Sequence, residues 1–82
     1  MSLPSDLPPR ELIRCLNQID YVVVRQRGSH IRLRTERPSR HSITVVDRSP
    51  IAVGTLRSVL RLIAEHREQT IDELTTELFG RH

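Results

Sequence analysis

One histidine in this 82-residue chain has the surroundings that acid–base chemistry on a phosphate requires. Gly28-Ser29-His30 lies in the most basic stretch, where residues 25–48 carry seven arginines and two acids, a balance of +5. A histidine can take and give a proton near neutral pH. Cleavage of RNA without a metal needs such a group, because the 2′-hydroxyl must lose a proton and the 5′-oxygen must gain one near stabilising positive charge. Judged by spacing alone, an exposed histidine that only contributes to a binding surface is more frequent than a catalytic one.

The composition narrows the class of protein. All thirteen basic residues are arginine, whose planar guanidinium matches phosphate and carboxylate geometry. No apolar run approaches the roughly 18 residues that span a bilayer, and the N-terminal residues lack a signal-peptide pattern, so we expect a soluble, cytoplasmic protein. Cys15 alone forms neither an internal disulfide nor a multi-thiolate site. We therefore expect no metal and no other cofactor.

The first helix is predicted by the apolar spacing after the proline-rich start. Leu12 and Leu16 recur at helical intervals, and Pro9 suits a first helical turn, where a missing N–H costs nothing. We expect the helix over about residues 9–18, after a flexible segment at 1–8.

Three short runs rich in β-branched residues predict strands at 21–24, 30–34 and 42–46. Gly28 supplies the turn between the first two, and a hairpin loop joins the second to the third. The second strand alternates between apolar and polar residues, so His30 and two arginines share one face.

The register of this hairpin follows from the alternation. Matching apolar residues with apolar residues pairs Leu33 with Ile43 and Ile31 with Val45. On the polar face the same register pairs His30 with Val46, Arg32 with Thr44 and Arg34 with Ser42.

Two helices are predicted in the second half of the chain. Apolar spacing over residues 56–63 marks an amphipathic helix, with Thr55 as its expected N-cap. Thr70 and Glu73 form a capping box at the start of a short C-terminal helix over 70–79.

The predicted fold is α+β: one domain over residues 1–82 in the order α-β-β-β-α, plus the short C-terminal helix. Helices would cover one face of a three-stranded antiparallel sheet. The opposite face, which carries His30, would stay open to solvent and is the candidate site.

Three ordered motifs stand in this small chain: YVVVRQRGSH at 21–30, Ile43-Thr44-Val45, and GTLRSVL at 54–60. Together they closely resemble the HicA (YcfA-like) family of toxin–antitoxin systems, over most of the chain. The resemblance implies a double-stranded-RNA-binding-like fold, metal-independent endoribonuclease activity on mRNA, and a HicB-like antitoxin protein that covers the active face. It also implies that His30, in the family's Gly-Ser-His motif, is the catalytic residue.

Two positions depart from the family pattern. Where the family often has Val-Pro-x-His after the third strand, this chain has Arg48 in place of the histidine. An arginine stabilises charge but does not exchange a proton, so activity could be altered or lost. The family also commonly has glycine before the first strand, where this chain has Asp20, a residue that tolerates turn geometry.

The candidate RNA-binding residues accompany His30 on the open face or near it. They are Arg25, Arg27, Gly28, Ser29, Arg32, Arg34, Arg48 and Arg57. Asp47 lies near His30 and either orients it or is only a turn residue. His41 is expected in the loop at the far end of the sheet.

Two other functions remain open for the same fold. A non-catalytic RNA-binding module would bind RNA in a salt-dependent manner without cleaving it. A basic protein-interaction domain would bind an acidic partner and no RNA.

Overall fold

The computed structural model describes residues 3–80, which form the predicted α+β arrangement. The elements are α1 (Pro9–Asn17), β1 (Val22–Arg27), β2 (His30–Thr35), β3 (His41–Val46), α2 (Val53–His66) and α3 (Ile71–Phe79). The strands form one antiparallel sheet in the order β1-β2-β3. Within the described part of the chain, no helix is long and apolar enough to cross a membrane.

The helices cover one face of this sheet, as the alternation predicts. Ile31 and Leu33 of β2 and Ile43 and Val45 of β3 are buried on that face. Burial of each such side chain contributes about 1.5–3 kcal/mol relative to exposure. The helices supply the other side of the core through Leu12, Leu16, Leu56, Leu60, Ile63 and Leu74. None of the described helices covers the opposite face of the sheet.

The predicted register of the β2–β3 hairpin is confirmed. Leu33 pairs with Ile43 and Ile31 with Val45, so apolar residues meet apolar residues. His30 therefore lies directly beside Val46 on the uncovered face. One further pair, between Thr35 and His41, extends the hairpin beyond the predicted strands.

Strand β1 differs from the prediction in length and regularity. It runs to Arg27, three residues beyond the predicted end, and it contains a bulge between Val23 and Arg25. Tyr21 and Arg25 are both odd-numbered and would share a face of a regular strand. Because Val24 is an extra residue, Tyr21 is buried on the helix side while Arg25 is exposed and pairs with Arg32 on the uncovered side.

The start of α2 also differs from the prediction. Ala52, not Thr55, is the N-cap, and the helical hydrogen bonds begin with Leu56 N donating to Ala52 O (2.9 Å). Ile51 is buried, and its N–H donates to Leu7 O (2.9 Å). These contacts fix where the chain enters the helix, so Thr55 falls inside the first turn and its hydroxyl caps nothing.

The start of α3 is as predicted. Glu73 N donates to Thr70 Oγ1 (3.0 Å), and Thr70 N donates to Glu73 Oε1 (2.8 Å), which is the capping box. The helix ends at Phe79, at the predicted boundary.

The N-terminal segment contacts the core. Leu3 and Leu7 are partly buried against it, and Leu7 accepts the hydrogen bond from Ile51. Leu3 and Leu7 thus contact the fold, while the expected flexibility of residues 1–8 stays a prediction; residues 1 and 2 lie outside the described range.

The turn between α1 and β1 uses the residue that replaces the family's glycine. Asp20 has φ +74°, in the left-handed region that favours glycine. Aspartate enters this region more readily than most other side chains, so the expected tolerance of Asp20 for this turn is confirmed. Its carboxylate lies 3.9 Å from the guanidinium of Arg37.

Candidate functional site

A shallow depression on the uncovered face brings together His30 and three of the predicted arginines. Its volume is about 150 Å³, and it is lined by Arg25, Arg27, His30, Arg32 and Thr44. We call it the His30 cleft. All five side chains are exposed, so the cleft is open to a large ligand.

The sheet register explains this grouping. His30 is the first residue of the central strand, with Arg27 beside it on β1 and Val46 beside it on β3. The next pair along the uncovered face is Arg25 with Arg32. Paired residues of adjacent strands have Cβ atoms about 4.5–5.5 Å apart. Three guanidinium groups are thus held around one imidazole by backbone pairing alone.

The turn before His30 is fixed by glycine and by two hydrogen bonds. Gly28 has φ +59°, and Gly28-Ser29 forms the two-residue loop between β1 and β2. Gln26 Nε2 donates to Gly28 O (3.1 Å), and Asp47 N donates to Ser29 O (2.6 Å). Gly28 and Ser29 therefore position His30 through the backbone, and neither residue lines the cleft.

The positive charge of the cleft has no acidic partner in the part of the chain that the structure describes. Among residues 3–80, no acid forms an ion pair with Arg25, Arg27 or Arg32. The imidazole of His30 likewise has no hydrogen bond to another described residue. The donors of all four side chains are available to an anion, and guanidinium groups match the oxygens of a phosphate.

Three other predicted residues lie apart from the cleft. Arg34 Nε forms an exposed ion pair with Glu36 Oε2 (3.2 Å), so its charge is partly compensated. Arg57 is exposed on α2 and does not line the cleft. Arg48 follows β3, and its side chain lines a neighbouring depression instead. Arg48, which was predicted to lie on the open face or near it, is therefore outside the His30 cleft.

Asp47 does not contact His30 through its side chain. Asp47 lines a depression with α1 residues such as Arg10 and Glu11, and among the described residues it forms no ion pair with His30. Its backbone N–H holds the Gly28-Ser29 turn instead. The interpretation of Asp47 as a turn residue is the one that the geometry favours.

A family model described as "HicA toxin of bacterial toxin-antitoxin" matches residues 9–64, from the start of α1 almost to the end of α2. The chain belongs to this family. No curated protein and no solved structure matches it significantly. Membership makes the chain the toxin of a toxin–antitoxin system, with a cognate antitoxin as its partner.

The toxin has a second histidine site, at the far end of the sheet from His30, which the sequence did not reveal. His41 is the first residue of β3, not a loop residue, and its Nδ1 lies 2.8 Å from the hydroxyl of Tyr21. Its ring stacks on His66 of α2, with centroids 4.3 Å apart and planes at 10°. His66 Nε2 lies 2.9 Å from Ser39 O. We call Tyr21, His41 and His66 the His41 cluster.

The His41 cluster is structural in character. Tyr21 is 0% exposed, and burial raises its pKa to about 12. Burial also lowers the pKa of His41, and the neighbouring His66 lowers it further. The neutral forms of Tyr21 and His41 are favoured. Hydrogen bonding and stacking link Tyr21, which directly precedes β1, to β3 and α2. The partners of His41 are 20 and 25 residues away in sequence, so no local motif marks this site.

Proposed function

We propose that this toxin is an endoribonuclease that cleaves mRNA without a metal ion, with His30 as the general acid or base. The observation that supports it most is the grouping of Arg25, Arg27 and Arg32 around an exposed histidine, with no acid of the described residues paired to them. Family membership supports a toxin with nuclease activity in general terms.

The proposed reaction is internal attack by the RNA's own hydroxyl. The 2′-hydroxyl gives its proton to the neutral imidazole of His30, and the 2′-oxygen forms a bond to phosphorus. The bond from phosphorus to the 5′-oxygen breaks, leaving a 2′,3′-cyclic phosphate, and the 5′-oxygen takes a proton from the solvent that the open cleft admits. The guanidinium groups stabilise the additional negative charge on the phosphate as it forms.

Arg48 does not act as a second acid–base group in this proposal. An arginine retains its proton at physiological pH, and Arg48 does not line the His30 cleft. We therefore assign removal of the 2′-hydroxyl proton to His30 and charge stabilisation to the cleft arginines.

The antitoxin is proposed to inhibit by occupying the same surface. A HicB-like partner with an acidic face would neutralise Arg25, Arg27 and Arg32 and exclude RNA from His30. The toxin would act in the cytoplasm, where it meets both mRNA and this partner.

The test is RNA cleavage in the presence of EDTA by the wild type and by His30→Ala. Loss of a general acid or base reduces the rate about 10²- to 10⁴-fold. The matched control is His66→Asn, which removes a histidine at the far end of the sheet and should retain cleavage at temperatures where it is folded. Circular dichroism checks that each variant is folded. Cleavage by His30→Ala at the wild-type rate would refute the assignment.

A non-catalytic RNA-binding module is the second candidate. The observation that favours it is Arg48 in place of the family's histidine, together with an imidazole that no described residue orients. In that case the wild type binds RNA with an affinity that falls steeply with salt, and no product forms. A protein that binds no RNA at all would instead be a basic protein-interaction domain.

A further inference from the structure

A second depression lies beside the His30 cleft and has a different chemical character. Its volume is about 160 Å³, and it is lined by Val46, Arg48, Pro50, Ile51, Ala52 and Thr55. Four of these side chains are apolar, and the two polar ones are Arg48 and Thr55. We call it the Arg48 pocket.

The two depressions are neighbours because of the sheet register. Val46 lines the Arg48 pocket and is also the residue paired with His30 across β2 and β3. Adjacent strands are about 4.8 Å apart. The wall of the Arg48 pocket that Val46 forms therefore lies about one strand spacing from His30. For an RNA phosphate held at His30, the base of the same or the next nucleotide is the part that would extend past Val46 into the pocket.

The side-chain polar groups of the Arg48 pocket have no partner among residues 3–80. Thr55 is not the N-cap of α2, and its hydroxyl makes no hydrogen bond to the described residues. Arg48 forms no ion pair within residues 3–80; its recorded contact is the backbone bond from its N–H to Val46 O (2.8 Å). An apolar depression with a few available polar groups is typical of a small-ligand site.

The size of the pocket favours one aromatic ring over two. A protein cavity of about 150 Å³ holds a single benzene ring. The Arg48 pocket has nearly this volume but is open to solvent, so the single ring of a pyrimidine fills it, whereas the second ring of a purine would extend past its apolar wall into water. Uracil and cytosine share the carbonyl oxygen O2, which the Thr55 hydroxyl and the Arg48 guanidinium can both donate to.

We propose that the Arg48 pocket binds the base of a nucleotide adjoining the phosphate in the His30 cleft, and that it selects a pyrimidine. The proposal rests on the proposed function, because an RNA phosphate at His30 is what brings a base to the pocket. It adds a base preference to a site that otherwise contacts only the sugar–phosphate backbone. Thr55 and Arg48 are the specificity residues, and the aliphatic side chains contact the ring.

The direct test is an NMR titration of the ¹⁵N-labelled toxin with the 5′-monophosphates of uridine, cytidine, adenosine and guanosine. None of these contains an internucleotide bond, so binding is measured without cleavage. We expect the two pyrimidine nucleotides to shift the amide signals of Val46, Ala52 and Thr55 and to bind about threefold to tenfold more tightly than the purine nucleotides.

Two variants change the pocket without touching the His30 cleft. Ala52→Phe fills it with a ring and should remove the preference, whereas Val53→Phe places the same ring on the next residue, which does not line the pocket, and should keep it. Thr55→Val removes one hydroxyl at nearly constant shape and should weaken pyrimidine binding about threefold to tenfold. Mapping of RNA cleavage sites should show the same loss of preference.

The outcomes separate this proposal from the proposed function. Equal binding of all four nucleotides, with shifts confined to Arg25, Arg32 and Thr44, would refute the base-binding proposal and leave the proposed nuclease function unaffected. RNA cleavage with no base preference would do the same. If the toxin neither binds nucleotides nor cleaves RNA, both the base-binding proposal and the proposed nuclease function are refuted.

Discussion

The two ends of the sheet each hold a histidine, and the protein surrounds these two side chains in opposite ways. His30 is exposed, has guanidinium groups beside it, and has no hydrogen bond to a described residue. His41 is hydrogen-bonded to the hydroxyl of Tyr21, and its ring stacks on His66. The same residue type is thus available for ligand chemistry at one end and is a structural connector at the other.

The difference follows from the faces on which the two side chains lie. His30 is on the uncovered face, where it shares a cleft with three arginines and a threonine. His41 pairs with the buried Thr35 and lies on the helix side, where Tyr21 and α2 reach it. A histidine's role in a small sheet is therefore decided by its face more than by its strand, since the helices bring buried partners to one face alone.

The largest expected difference is in the free energy of unfolding, which His41→Ala should lower far more than His30→Ala. His41→Ala leaves the buried hydroxyl of Tyr21 without its partner and should lower the free energy of unfolding by about 1–3 kcal/mol. His30→Ala removes an exposed side chain and should change it by no more than about 0.5 kcal/mol. Urea denaturation followed by circular dichroism measures both. Equal destabilisation by the two substitutions would contradict the division of roles.

A smaller difference is expected between the turns at the two ends. Gly28 has φ +59° with nothing within 4 Å of an added Cβ, so Gly28→Ala should cost about 1 kcal/mol through backbone strain alone. Asp20→Gly relieves φ +74° but adds freedom to the unfolded chain and loses the exposed contact with Arg37, so its net effect should stay within about 0.5 kcal/mol. Thermal melts of the two variants test this. A larger loss for Asp20→Gly than for Gly28→Ala would reverse the expectation.

The smallest effect is a pH dependence that belongs to the His41 end. The fold lowers the pKa of His41 below the value of about 6.5 in the unfolded chain. Between these two values the unfolded chain binds more protons, so stability is complete above about pH 6.5 and decreases as the pH falls toward the lowered pKa. His41→Gln retains a hydrogen-bonding group but does not titrate. Urea midpoints from about pH 8 to about pH 5 should therefore decline less in this variant than in the wild type.

Much of the fold could be predicted because its determinants are local. Alternation in β2 and β3 fixes the register, since a one-residue slip would bury arginines. The Thr70–Glu73 capping box is likewise a short-range signal. The α2 N-cap could not be predicted, because Ile51 is held by Leu7, which is 44 residues earlier in the chain.

The candidate site likewise has features that local sequence predicts and features that depend on residues far apart in the chain. The turn at Gly28 and the position of His30 at the start of a strand follow from neighbouring residues. The His41 cluster combines residues of β3 and α2 with Tyr21, which precedes β1, so spacing alone left His41 as a loop residue. The separation of Arg48 from His30 depends on the path of the chain after β3, which no alternation describes.

The bulge in β1 has a consequence for how related toxins can differ in length. With Val24 removed, the remaining residues alternate regularly: Tyr21 and Val23 on the helix side, Arg25 and Arg27 on the other. A relative without this residue would keep both its buried tyrosine and its arginines in place. Loss of any residue between Arg25 and Gly28 would instead turn one arginine away from His30. Gaps in aligned relatives are therefore expected to gather at position 24, where evolution can shorten the strand without altering either face.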